Sequence, residues 1–153
     1  MQNIAPNDKK IQELAHIMMR LQRCFLISLS HQLAKGNISI SQYTLLSFLN
    51  QDESRNMSQL AQLMGHTTAA ATGLIDRMVE AGYVERFHST EDRRKVLVRI
   101  TQKGVGVVQA VQNDISKNLG EVMKVLSADE QEYWLAIYRK VNDFYYTKPV
   151  EEK

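Results

Sequence analysis

The side chains of this 153-residue chain that could do metal, redox or acid–base work are four histidines, one cysteine and 17 carboxylates. His16, His31, His66 and His88 are scattered, with no two at metal-ligand spacing and no cysteine pair to complete a site, so a metal centre is not expected. No glycine-rich phosphate loop, G-x-S-x-G elbow or paired-carboxylate motif is present. Gly104 and Gly106 follow a helix cap inside one helical segment, which is the wrong context for a nucleotide site. Neither an enzyme nor a cofactor is expected. What remains is Asp92-Arg93-Arg94-Lys95, the densest run of positive charge, in a wholly polar, turn-like segment from His88 to Lys95. An exposed cationic loop of this kind neutralises phosphates or reaches into a minor groove.

Composition leaves that reading open. Hydrophobic residues make up 44% and charged residues 24%, which is ordinary for a globular fold of one domain spanning 1–153. The formal net charge of +2 neither demands nor excludes nucleic acid, so placement decides. A single cysteine, the absence of an apolar h-region in MQNIAPNDKK and the lack of any membrane-length apolar run predict a cytoplasmic protein with no membrane partner.

The elements around the basic run give it a context. Apolar residues recur every three or four positions from Asp8 to Lys35, and Ile17, Met19, Leu26 and Ile27 widen the stripe beyond what one neighbouring layer covers. A second chain would cover the rest. Gly36-Asn37 stops this helix. Ser39 or Ser41 caps the next, from Tyr43 to about Leu49, and Asn50–Arg55 follows as a loop. Asn56 and Gln59 have capping-box spacing before a short helix, Ser58 to Met64, and Gly65 ends it. Thr67 or His66 then caps a helix running to Ala81, with Gly82 as its stop. Ala71, Leu74, Ile75 and Met78 share one face of this helix; Thr68, Ala69, Thr72, Gly73, Asp76 and Arg77 lie on or near the other. Alone, this pair could be an αα-hairpin without special function. However, Tyr83–Phe87 and Val96–Ile100 read as strands joined by the basic loop, and together they make a β-wing beside a helix-turn-helix. Thr101 caps a long helix reaching Leu126, and Ser127 and Glu130 box the start of an aromatic-rich last helix. The expected fold is mainly α with a small β-wing: a winged helix-turn-helix at 39–100 between long dimerisation helices at 8–35 and 101–147.

This order resembles the multiple-antibiotic-resistance regulator (MarR) family of bacterial transcription factors. The stretches that carry the likeness are Met57–Ala61, Thr72–Arg86, and Asp92–Gly104, the last similar to the family's D-x-R wing signature followed by its L-T-x-x-G helix entry. The resemblance implies a homodimer with interleaved terminal helices, binding double-stranded DNA at a pseudo-palindromic operator with recognition helices about 34–36 Å apart. It implies a transcriptional repressor, released by a small, often aromatic or phenolic effector. By position, Thr67, Thr68, Ala69 and Thr72 would face the major groove and His66 a phosphate. Arg94 would enter the minor groove, with Arg93 and Lys95 on phosphates. Asp92 would hold the wing by pairing with an arginine, for which Arg77 is the candidate; a direct phosphate contact is the other role open to Arg77. Gly73 departs from the arginine or lysine many relatives carry there, removing a contact and costing about 1 kcal/mol of helix stability relative to alanine.

Some members of the family sense peroxide through a cysteine on the first helix. Cys24 has no tyrosine partner on that helix, so a buried structural cysteine is expected, with redox sensing as the alternative. Phe25, His31 and Tyr43 could line an effector cleft. The reading from a different class is a winged-helix module that binds protein rather than DNA; the basic wing and the small-residue helix face weigh against it.

Overall fold

A computed structural model describes residues 6–51 and 54–147. Of the ten residues read as lacking a leader peptide, residues 1–5 lie outside the described residues, as do residues 52–53 of the expected loop and the final residues 148–153 of the expected domain. The order is α1 Pro6–Lys35, α2 Ile40–Gln51, β1 Arg55–Asn56, α3 Met57–Leu63, α4 Thr68–Glu80, β2 Val84–His88, β3 Val96–Ile100, α5 Gln102–Met123 and α6 Ala128–Thr147. The chain is mostly helical with one small antiparallel sheet, ordered β1-β3-β2. It forms two compact units, residues 1–112 and 113–153, and α5 runs from the first into the second.

Local chemistry explains most boundaries. α1 ends in a Schellman turn in which Ile38 N–H donates to the Leu33 carbonyl (3.0 Å) and Asn37 N–H to that of Ala34 (3.2 Å). The left-handed residue there is Asn37 (φ 54°), not Gly36; asparagine is one of the few side chains that tolerates this conformation. Ser39 makes a full capping box with Gln42 (2.8 and 3.2 Å), which starts α2 at Ile40, three residues before the expected Tyr43. β1 replaces the end of the expected loop: Arg55 and Asn56 pair with Val98 and Leu97 on the free edge of β3. Two residues are too few to show a strand period, so only the pairing reveals them. On the other edge Val84 faces Ile100 and His88 faces Val96.

The core of the first unit gathers Leu45, Leu46 and Leu49 of α2, Leu60 of α3, and Leu74, Ile75 and Met78 of α4 against the inner faces of Val84 and Val98. Val108 brings α5 onto the same cluster. In the second unit Gln131 Nε2 caps the end of α5 through the carbonyls of Met123 (2.9 Å) and Leu126 (3.1 Å). The Ser127–Glu130 box starts α6, and the backbone N–H and then the hydroxyl of Ser127 hold the Glu130 carboxyl below its ordinary range. Apart from Ile40, Leu63 and Val96, the large apolar side chains left exposed lie on α1, on the end of α5 and the turn after it, or on α6.

Gly104 is closely packed between the end of α4, β3 and α2. A Cβ there would press on the Tyr83 carbonyl oxygen and stand 2.6 Å from Ile100 Cγ1 and 3.1 Å from Leu46 Cδ2. Backbone and core on both sides leave nothing free to give way. Gly104→Ala should therefore destabilise the fold by about 1–3 kcal/mol, the usual range for overpacking. Urea unfolding measures this; an unchanged midpoint would show that the joint is looser than its geometry.

Candidate nucleic-acid interface

Two short helices and a wing form the candidate interface, and each is fixed by its own hydrogen bonds. Asn56 and Gln59 make the expected capping box on α3, both bonds 2.9 Å. Gly65 takes a left-handed turn (φ 63°), and His66 N–H closes it on the Ala61 carbonyl at 2.9 Å. The His66 side chain is exposed at the mouth of α4. Thr67, rather than His66, is the N-cap: its hydroxyl oxygen accepts the Ala70 N–H at 3.3 Å. Ala71, Leu74, Ile75 and Met78 are buried as their spacing predicts, which turns Thr68, Ala69, Asp76 and Arg77 out to solvent. Thr72 is half-buried, and its hydroxyl donates to the Thr68 carbonyl at 2.8 Å. What Thr72 can still offer a ligand is therefore an acceptor.

The far end of α4 is held by the start of α5. Lys103 Nζ donates to the Ala81 carbonyl (2.8 Å) and lies 4.4 Å over the Tyr83 ring. The Thr101 hydroxyl is within 2.8 Å of the Gly82 carbonyl and 3.1 Å of that of Tyr83, and Thr101 N–H donates to Tyr83 at 3.0 Å. The same threonine oxygen accepts Gly104 N–H at 3.3 Å. A cation on the last carbonyls of a helix also suits its dipole. The sequence carries these residues as the Thr101–Gly104 motif, yet their grip on α4 joins positions about twenty apart and has no local signal.

The wing is a backbone-closed loop. Ser89 N–H donates to the Lys95 carbonyl (3.0 Å), and Lys95 N–H donates to that of Asp92 (2.9 Å). Asp92 Oδ1 accepts the Arg94 N–H at 3.0 Å. This corrects one expectation: Asp92 shapes the wing as an Asx turn, and among the described residues no ion pair joins it to Arg77. A carboxylate two residues ahead of an N–H meets it locally and needs no distant partner. His88 Nδ1 lies 2.9 Å from the Arg93 carbonyl at the base of the loop. Arg93, Arg94 and Lys95 are exposed, and among the described residues their side chains have no hydrogen-bond or ion-pair partner.

Two further ion pairs escaped the sequence reading. Arg86 of β2 pairs with Asp76 of α4 (2.5 Å), and Arg99 of β3 with Glu85 of β2 (2.6 Å), with Arg99 also over the Phe87 ring. Asp76 stands on the outward face of α4, so its pairing with Arg86 lowers the negative charge that this face presents.

The residues proposed for ligand or redox roles are less concentrated. His31 lines an open groove on α1 with Met19, Arg23, Leu26 and Ile27, but Phe25 and Tyr43 are not among its walls. Phe25 and His31 are six residues apart, which puts them about 120° apart around the helix. Cys24 is a free, exposed thiol in this chain, not the buried one expected. Among the described residues, no group of three or more His, Cys, Asp or Glu could hold a metal ion, and no helix is long and apolar enough to cross a membrane.

Known proteins place this architecture. The model of the MarR family matches residues 38–96, from the turn before α2 through the wing. YfiV of Bacillus subtilis, an uncharacterized HTH-type transcriptional regulator, is 32% identical over 98 residues. That stretch is 64% of this chain and 61% of YfiV, less than two thirds of the relative's length. The structure of a MarR family protein from Bacillus stearothermophilus superposes with a TM-score of 0.82, covering 94% of this chain and 100% of that one at 22% identity. A point mutant of MepR from S. aureus, solved bound to an oligodeoxyribonucleotide, has a TM-score of 0.66 at 17% identity, covering 85% of this chain and 96% of that one. At such identities the two structures establish the winged-helix fold. With the matched segment, they show what the chain is similar to: its winged-helix fold is that of the neighbours, and residues 38–96 resemble the MarR family of transcriptional regulators.

Proposed function

We propose that this protein is a homodimeric, sequence-specific repressor that binds a pseudo-palindromic operator in the cytoplasm and lets go when a small aromatic or phenolic effector binds. Residues 39–100 form the DNA-binding lobe, and the helices at 8–35 and 101–147 form the dimerisation part. The observation that carries the DNA reading is the Arg93-Arg94-Lys95 run, whose side chains have no partner among the described residues and which joins two strands of the sheet that packs on α4. With a net charge of only +2, affinity for a polyanion must come from such a local concentration. In this reading α4 enters the major groove with Thr68, Ala69 and Thr72 toward the bases, while His66 and the hydroxyl of Thr67 meet a phosphate at the helix mouth. Arg94 reaches the minor groove, and Arg93 and Lys95 sit on phosphates. The oligodeoxyribonucleotide on MepR supports the assignment by fold analogy. An operator-bound dimer acts as a repressor by occupying DNA that polymerase needs.

Dimerisation rests on the apolar faces left open. Ile11, Leu14, Met18, Leu21 and Phe25 of α1 are each 44% or more exposed, and so are Tyr133, Ile137, Tyr138 and Phe144 of α6. A stable monomer seldom leaves so much apolar surface wet on its helices. A two-fold dimer also gives a two-fold operator its symmetry.

Sedimentation equilibrium at micromolar concentration should return twice the 17.5 kDa chain mass; a monomer there contradicts the dimer. Arg94→Ala should weaken duplex binding by about tenfold or more and reduce the salt slope by about one per subunit, about two for the dimer, with the melting temperature unchanged. Affinity equal to wild type would remove the wing from the interface.

A further inference from the structure

The outward face of α4 is poor in the groups that read bases. Opposite the buried stripe, the face centres on Ala69, Gly73, Asp76 and Glu80: two residues too small to hydrogen-bond and two carboxylates. Arg86 neutralises Asp76. Thr72 has committed its hydroxyl proton to the Thr68 carbonyl. Arg77 is the one cation between Thr68 and Glu80, and its position falls about 70° off the centre of the face, where a long side chain would ordinarily meet a phosphate.

The guanidinium does not stay on that flank. Arg77 Nη1 lies 3.8 Å from where a Cβ on Gly73 would stand. The side chain therefore reaches back one turn toward the N-terminus, the direction helical side chains favour, and lies across bare backbone at the middle of the outward face. It is exposed there, and among the described residues the guanidinium has no hydrogen-bond or ion-pair partner. We infer, building on the DNA-binding role proposed above, that Arg77 laid across Gly73 is the base-reading residue of α4, presenting its fork to a guanine edge in the major groove. Guanine O6 and N7 call for two parallel donors, and on this face only a guanidinium supplies them. Gly73 then does more than omit a side chain, because its bare backbone is the seat that brings Arg77 from the flank to the bases.

The test is selection of bound duplexes from a random pool by the full-length wild type, Arg77→Ala, Arg77→Lys and Gly73→Leu, each first shown to melt as wild type does. Wild type should enrich a two-fold site containing one guanine per half-site that Arg77→Ala no longer prefers. At that position discrimination should fall about five- to hundred-fold, the range of one bidentate contact. Arg77→Lys keeps the charge without the fork and should lose the same preference. Gly73→Leu keeps the arginine but fills its seat, and should lose it too. If Arg77→Ala keeps every base preference and weakens all duplexes equally, with a salt slope lower by about one per subunit, Arg77 is a phosphate contact and the inference falls. It falls as well if Gly73→Leu reads the wild-type site unchanged. A wild-type protein that enriches no site would overturn the DNA-binding reading itself, and this inference with it.

Discussion

Three successive carbonyls at the end of α4, those of Ala81, Gly82 and Tyr83, are taken by Lys103 and Thr101 from the start of α5. A helix of thirteen residues standing on a small core would otherwise fray at that end, leaving acceptors to water. The grip fixes more than a helix terminus. Tyr83 leads directly into β2, so the threonine that holds α4 also sets where the wing begins. Thr101 follows β3 without a break, so the same few atoms define the root of both strands. Gly104 allows the approach, because any side chain there would meet Tyr83 and Leu46. The end of α4, the root of the wing and the start of α5 thus meet at one joint.

Such a joint suits a reader of DNA, whose contacts must be presented at fixed separation. The electrostatics are arranged to the same end. The Asp76 carboxylate on the outward face of α4 is matched by Arg86 from the sheet, and this exposed pair adds little stability of its own. Its effect is on the field, since the wing and α4 keep cations whose side chains have no partner among the described residues. An almost neutral chain thereby offers a locally positive surface. In the proposed dimer, assembled through the apolar faces of α1 and α6, that surface would occur twice.

Much of this was legible in the sequence because the deciding interactions are short-range. The Asn56–Gln59, Ser39–Gln42 and Ser127–Glu130 boxes each act over three residues, and all three form as their spacing predicts. The wing was legible because two β-branched or aromatic runs flank a wholly polar loop. What escaped depends on distance or on competition between neighbours. Asn37 rather than Gly36 takes the left-handed turn, a choice set by where α1 must stop to let Ile38 enter the core. Asp92 prefers a nearby N–H to a remote arginine. β1 exists only because β3 has a free edge. The lysine on Ala81 and the arginine on Asp76 join separate elements, and no period or motif announces them. Cys24 was expected buried because its neighbours are apolar, but that wide stripe is the part of α1 this chain leaves uncovered. The proposed effector residues suffered similarly, since residue type alone does not say which side of α1 each one takes.

The central claim is that α4 and the wing engage duplex DNA together, as one rigid reader. Amide hydrogen exchange of the full-length protein, with and without a duplex recovered by selection, tests it most directly. Binding should slow exchange at the start of α4, from Thr67 to about Ala71, and at Ser89–Lys95 in the wing, with both segments responding at the same duplex concentration. Protection confined to the terminal helices, or to one of the two segments alone, would contradict the account.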